Sequence, residues 1–165
     1  MRDIADIIRA KSYDVFVSYK REDDAARAVL VDALEREGFE PWWDAKLGHG
    51  DFRDQLRDQI NRCDVVIALW SQNAHAKPDE VKMEMAHAFG VEKLLPLKLD
   101  GAPIPAQFAK ENFLPFDGWA DEKRAAGQLA QILAEARKLG AKPKGTPARP
   151  LPPSIPVELL AFGFC

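Results

Sequence analysis

At 165 residues, 47% of them apolar, the chain can bury one substantial core and has little length left for a second globular domain. Its 23 Lys and Arg against 26 Asp and Glu leave a net charge of −3, so there is no broad basic field to hold a nucleic-acid backbone. The longest apolar run, Val65 to Trp70, falls far short of the roughly 20 residues that cross a bilayer. The opening stretch from Met1 to Arg9 interleaves charges with apolar residues where a secretory signal needs a continuous apolar segment, and a cytoplasmic location is expected. Cys63 and Cys165 lie far apart with no CxxC spacing, which argues against a disulfide framework and against a zinc site.

Residues 1–12 read as an N-terminal extension, 13–140 as one domain and 141–165 as a tail. Tyr13 to Ser18 alternates and is rich in β-branched residues, which predicts a strand. Ala26, Val29, Leu30, Ala33 and Leu34 then fall on one helical face, with Gly38 placed for a left-handed C-terminal cap. Phe39 to Trp43 reads as a short strand, and Pro41, which donates no ladder hydrogen bond, sets it near a sheet edge. A glycine-bearing loop, Asp44 to Gly50, precedes a helix capped by Asp51 and marked by Phe52, Leu56, Ile60 and Cys63.

Asp64 to Trp70 is apolar on both faces, the pattern of a central parallel strand covered on each side by helices. A polar stretch, Ser71 to Lys77, leads to Pro78, which suits the first turn of a helix that stops at Gly90. Leu94 to Leu99 and Phe113 to Phe116 are short strands, and a last helix places Leu129, Ile132, Leu133, Ala136 and Leu139 on one face. Strands alternating with helices predict an α/β fold with flavodoxin-like winding: a central, mostly parallel five-stranded sheet with helices on both faces. Its working face is the crevice at the carboxyl ends of the strands. After Gly140, six prolines enforce extended backbone, and the apolar end from Val157 to Cys165 reads as a docking segment or the lead into another partner or domain, such as a sensor.

The spacings for a P-loop, an HExxH zinc site and a GxSxG nucleophile are missing, and Gly48-His49-Gly50 lacks the third glycine of a dinucleotide fingerprint. A phospho-receiver needs an acid at the end of the middle strand, where this chain has Trp70-Ser71. An ordered set of blocks does stand out: Tyr13 to Tyr19, then Trp43-Asp44 with Leu47 and Gly50, then Ser71, then Val81 to Ala88. In order and spacing, from Tyr13 to about Trp119, this set resembles the TIR domain family, especially its bacterial members.

That resemblance implies that Asp44, Lys46, Leu47, Gly48 and Gly50 belong to a loop governing self-association, and that the family glutamate maps onto Glu84. Enzymatic members use that glutamate to cleave NAD between nicotinamide and ribose, yielding ADP-ribose or a cyclic form, and the bacterial members imply a role in immune or antiviral signalling. Non-enzymatic members act as adaptors through TIR–TIR contact. NAD enters as substrate; no cofactor and no metal are expected. The chain departs from the enzymatic pattern at Glu80, where tryptophan is usual four residues before the glutamate.

By helical geometry, at about 100° per residue, Val81, Met85, Ala88 and Phe89 define a buried stripe with Glu84 at its flank, where a solvated glutamate and a half-sheltered catalytic one are both admissible. Ser18, Tyr19, Trp43, Asp44, Lys46 and Ser71 are the candidate substrate contacts. Tyr19, Trp43 or Trp70 offers an aromatic surface, though residues of this kind are more often core than contact. Asp44 is a cap or a ligand contact, Lys46 a loop charge or a diphosphate partner, and Ser71 a ligand contact or a turn residue. Arg53, His75 and His87 read as surface residues.

Overall fold

Residues 13–43, 53–77 and 79–143 are described by a computed structural model of the chain. The expectations for residues 1–12, for the Asp44 to Gly50 loop, for the Asp51 cap and Pro78, and for the tail beyond Pro143 lie outside the described residues. Five strands, β1 (Val15–Ser18), β2 (Pro41–Trp42), β3 (Val65–Trp70), β4 (Leu94–Lys98) and β5 (Leu114–Pro115), form a sheet of order β2-β1-β3-β4-β5. All four pairings are parallel. The helices are α1 (Asp24–Arg36), α2 (Arg53–Arg62), α3 (Gln72–Ala76), α4 (Asp79–Gly90) and α5 (Glu122–Lys138).

Strand alternation sorts the side chains into two cores. Val15, Val17, Val65, Ile67 and Leu69 meet Leu30 and Leu34 of α1 and Ile132 and Ala136 of α5. Phe16, Trp42, Val66, Ala68 and Trp70 meet Ile60 of α2, Ala74 of α3, and Val81, Met85 and Ala88 of α4. Every residue of β3 is therefore buried, which explains its unbroken apolar run. β2 takes the sheet edge, as Pro41 requires.

At the end of α1, Gly38 has φ 88°, and Phe39 N–H donates to the Leu34 carbonyl at 3.0 Å, closing a left-handed cap. The corresponding left-handed residue after α4 is Glu92, φ 60°, rather than Gly90, which the helix includes. Lys93 stabilises that exit: its Nζ donates to the carbonyls of Ile60, Asn61 and Cys63 at 3.2, 2.6 and 2.7 Å, neutralising the negative end of α2. The polar stretch after β3 is partly helical, because Ser71 caps α3 by accepting from Ala74 N–H at 3.1 Å. Phe89, expected in the buried stripe of α4, is 47% exposed and meets Phe108 edge-on at 6.0 Å.

Two glycines give opposite expectations. Gly38→Ala forces a side chain into the left-handed region and should lower stability by about 1–2 kcal/mol. Gly127, inside α5 with open space around it, should gain up to about 1 kcal/mol on Gly127→Ala. Urea denaturation of both variants checks this; equal effects would contradict the cap geometry.

Candidate functional site

In a sheet of this order, β1 and β3 are neighbours whose following helices leave on opposite faces: α1 covers one core, α3 and α4 the other. A crevice opens at their carboxyl ends. Ser18 is the last residue of β1 and shares the parity of Phe16, so it faces α4. There its Oγ donates to Glu84 Oε1 at 2.5 Å. Glu84 is half-buried, between the fully buried Val81 and Met85 on its helix, so strand and helix both fix the carboxylate. Two of the sequence-derived candidates, 66 residues apart, are thus brought into direct contact.

Ser71 stands across the crevice after β3 but is engaged elsewhere. Besides capping α3, its Oγ donates to Asp23 Oδ2 at 2.5 Å. Asn73 Nδ2 donates to Asp23 Oδ1 at 2.7 Å, so both oxygens of a buried carboxylate are satisfied. Asp23 and Asn73 were not singled out by the sequence reading. The signal for Asp23 was a charged loop, Lys20 to Asp24, which looks solvated until folding closes it against β3. Asp100 completes the setting by accepting from the backbone N–H of Gln72 and of Ala102.

Tyr19 and Trp43 fall on the α1 side, opposite to Ser18, because they take the other strand parity. The Arg27 guanidinium lies 5.9 Å from the Tyr19 ring centre and 4.9 Å from that of Trp43, while pairing with Asp24 at 2.9 Å. Trp70 is core: it is 1% exposed and its Nε1 donates to the Pro103 carbonyl at 2.8 Å. His87 Nε2 lies 2.9 Å from Asn61 Oδ1, joining α4 to α2, and His75 packs edge-on against Trp70. Asp44, Lys46, Leu47, Gly48 and Gly50 lie outside the described residues, as does the Arg53 side chain.

Among the described residues no group of three or more His, Cys, Asp or Glu side chains is arranged to hold a metal ion, and no helix is long and apolar enough to cross a membrane. A depression of about 170 Å³, lined by Leu94, Leu95, Leu114 and Leu139, sits at the amino ends of β4 and β5, at the wrong end of the sheet to serve Glu84. Cys63 is no nucleophile. Burial pushes its thiol up to about 12, with Lys93 opposing in part.

The winding and the crevice define a flavodoxin-like α/β protein. The chain belongs to the TIR domain family, whose model matches residues 15–133. Among solved structures it is similar to the TIR domain of the Toll-related receptor TRR-2 from Hydra magnipapillata, at 18% identity and a TM-score of 0.65, covering 76% of this chain and 99% of that one. A metazoan TIR-STING receptor from C. gigas is matched at 20% identity and a TM-score of 0.58, over 81% of this chain and 41% of that one. A diflavin flavoprotein from Nostoc sp. shares the winding at 16% identity and a TM-score of 0.51, over 78% and 97% of the two chains. Likeness at these identities is one of fold. No curated protein matches the chain.

The buried thiol yields a two-part expectation. At pH 8 Cys63 should resist iodoacetamide in the folded protein and react once urea unfolds it, as read by peptide mapping. Because folding raises its pKa from 9.0 to about 12, the folded state holds the proton more tightly than the unfolded chain. That contribution to stability is complete below pH 9 and declines as pH rises toward 12. Labelling of Cys63 in the folded protein would contradict its burial.

Proposed function

We propose that this TIR domain is an NAD-consuming enzyme that breaks the bond between nicotinamide and ribose, with Glu84 as the catalytic carboxylate, in signalling of the immune type. The observation that carries the reading is the Ser18–Glu84 hydrogen bond, which holds a half-buried carboxylate beside the crevice at the carboxyl ends of β1 and β3. The chemistry suits one acid. The departing nicotinamide takes the bonding electron pair onto its ring nitrogen and leaves neutral, so no general acid has to protonate it. A carboxylate accepts a ribose hydroxyl and stabilises the positive charge that grows at the anomeric carbon. Water then adds there and releases a proton to solvent, giving ADP-ribose; attack by the substrate's own adenine or ribose gives a cyclic product instead.

Ser18 acts on this reading as the group that fixes one oxygen of Glu84 before substrate arrives, so little reorganisation accompanies the reaction. The Asp44 to Gly50 loop supplies the self-association that completes the pocket, and Lys46 and Asp44 are its candidate contacts to the ligand. NAD and other copies of the domain are the partners; a sensor reached through the tail is a further one.

A second reading, a non-catalytic module working by TIR–TIR contact, has its own support: Met83 and Phe89 are 49% and 47% exposed on the helix that carries Glu84. Incubation of concentrated protein with NAD separates the two. Nicotinamide release should fall by about 10²-fold or more in Glu84→Gln and by about tenfold in Ser18→Ala, with unchanged circular dichroism. Wild-type rates in Glu84→Gln would sink the catalytic assignment, and an inert wild type at all concentrations would leave the non-catalytic module.

The loop is tested separately. Leu47→Ala should reduce association in sedimentation and reduce activity in parallel, and activity should recover when protein concentration is raised. An inactive Leu47→Ala protein that assembles like wild type would show that the loop acts on chemistry instead.

A further inference from the structure

We propose that Asp23 is a positioning residue that sets the width of the crevice, by tying the loop after β1 to the loop after β3; this rests on the NAD reading for its consequence in turnover. The need for such a tie follows from topology. Ladder pairing of β1 with β3 ends at Ser18 opposite Ala68, after which the chains turn to opposite faces of the sheet. The tie is the Asp23 carboxylate, in the turn Arg21–Asp23 that enters α1. Ser71 Oγ and Asn73 Nδ2 each donate to one of its oxygens, at 2.5 and 2.7 Å.

Three features make this more than a surface contact. Asp23 is 9% exposed and Ser71 1%, so the bond between them forms away from competing water, while Asn73 adds its own from the exposed side. Ser71 is itself the cap of α3, so displacing Asp23 also loosens the first turn of that helix. Asp100 holds the same turn through Gln72 N–H, so the α3 entrance is fixed from both sides and Asp23 is the link from it to the β1 loop. Ser18, five residues before Asp23, carries the bond to Glu84, so the tie bears on where the crevice wall stands relative to the carboxylate. Asp23 does not touch that pair, and its effect falls on substrate capture rather than on bond cleavage.

The test combines kinetics with amide hydrogen exchange of the full chain. Asp23→Ala should raise the KM for NAD by about tenfold, the scale of a lost charged hydrogen bond, with kcat within about twofold. The Ala74 amide, which donates to Ser71, should exchange at least about tenfold faster while the Ile67 amide keeps its protection. Asp23→Asn, which keeps the shape and one acceptor, should restore most of both. Asn73→Ala removes a single bond from an exposed side chain and should give a smaller KM change of the same kind, which covers the case in which Asp23→Ala fails to fold.

Unchanged exchange at Ala74 would overturn the tie. A uniform rise in exchange, with kcat and KM degraded together in Asp23→Asn as well, would reduce Asp23 to a general stability residue and overturn the positioning role. If the wild type releases no nicotinamide, the NAD reading fails by itself. The exchange contrast between Ala74 and Ile67 then still upholds or overturns the tie.

Discussion

The adjacency of β1 and β3, with their following helices on opposite faces, is the constraint on which the site depends. Each strand end is held by a fully buried ladder until Ser18 and Trp70, and beyond those residues the backbones part. Side-chain parity then decides what each residue can reach. Phe16 and Ser18 look toward α4, so the serine that follows a core aromatic becomes the donor to Glu84. Tyr19, one residue on, looks toward α1 and packs beneath Arg27. A shift of one residue in the β1 register would exchange these roles.

Carboxylates removed from water are costly unless their oxygens are occupied, and here their partners come from the neighbouring strand units. Asp14, fully buried at the start of β1, accepts from Glu40 N–H with both oxygens at 2.8 and 3.0 Å, which sets β2 beside β1. Asp23, at the other end, does the same between the β1 and β3 loops. One acid therefore orders the amino edge of the sheet and another its carboxyl edge. Neither is interchangeable with an alanine, because each would take the acceptor away from the donors it now holds, the buried Ser71 hydroxyl among them.

Much of the fold was legible because it rests on periodicity. The unbroken apolar run of β3, the edge position of Pro41 and the cap at Gly38 follow from local rules that tertiary packing did not override. What escaped depended on contacts across the fold. Ser71 to Lys77 looked like a connecting loop, since α3 is only one turn long and its cap is worth little until Asp23 and Asp100 close on it. Helix α4 ends at Gly90, and the left-handed residue comes two positions later, at Glu92, where Lys93 N–H reaches the Ala88 carbonyl. Phe89 obeys helical spacing but stays half exposed, meeting the buried Phe108 edge-on. Glu84 was located through family resemblance; helical spacing put it at the flank of the stripe, and its meeting with Ser18 is a matter of parity and topology that no local window contains.

The two walls of the crevice are held by different means. Glu84 rides on a helix seated by Val81, Met85 and Ala88 against the central strands, and the far end of that helix leads directly to Lys93, locked on three carbonyls. Such a carboxylate is oriented before any ligand arrives, which is the arrangement that favours electrostatic stabilisation of a developing cation. The approach to the Asp44 to Gly50 loop is held instead by Trp43, half-buried, with the Arg27 guanidinium over its ring and Asp24 pairing that guanidinium. Stacking of this partly exposed kind is worth about 0.5–1 kcal/mol, far less than a buried helix face, so this side yields at less cost than the helix that carries Glu84. On the proposed reading, self-association then acts on how substrate is captured, while the carboxylate that performs the cleavage stays where the fold has placed it.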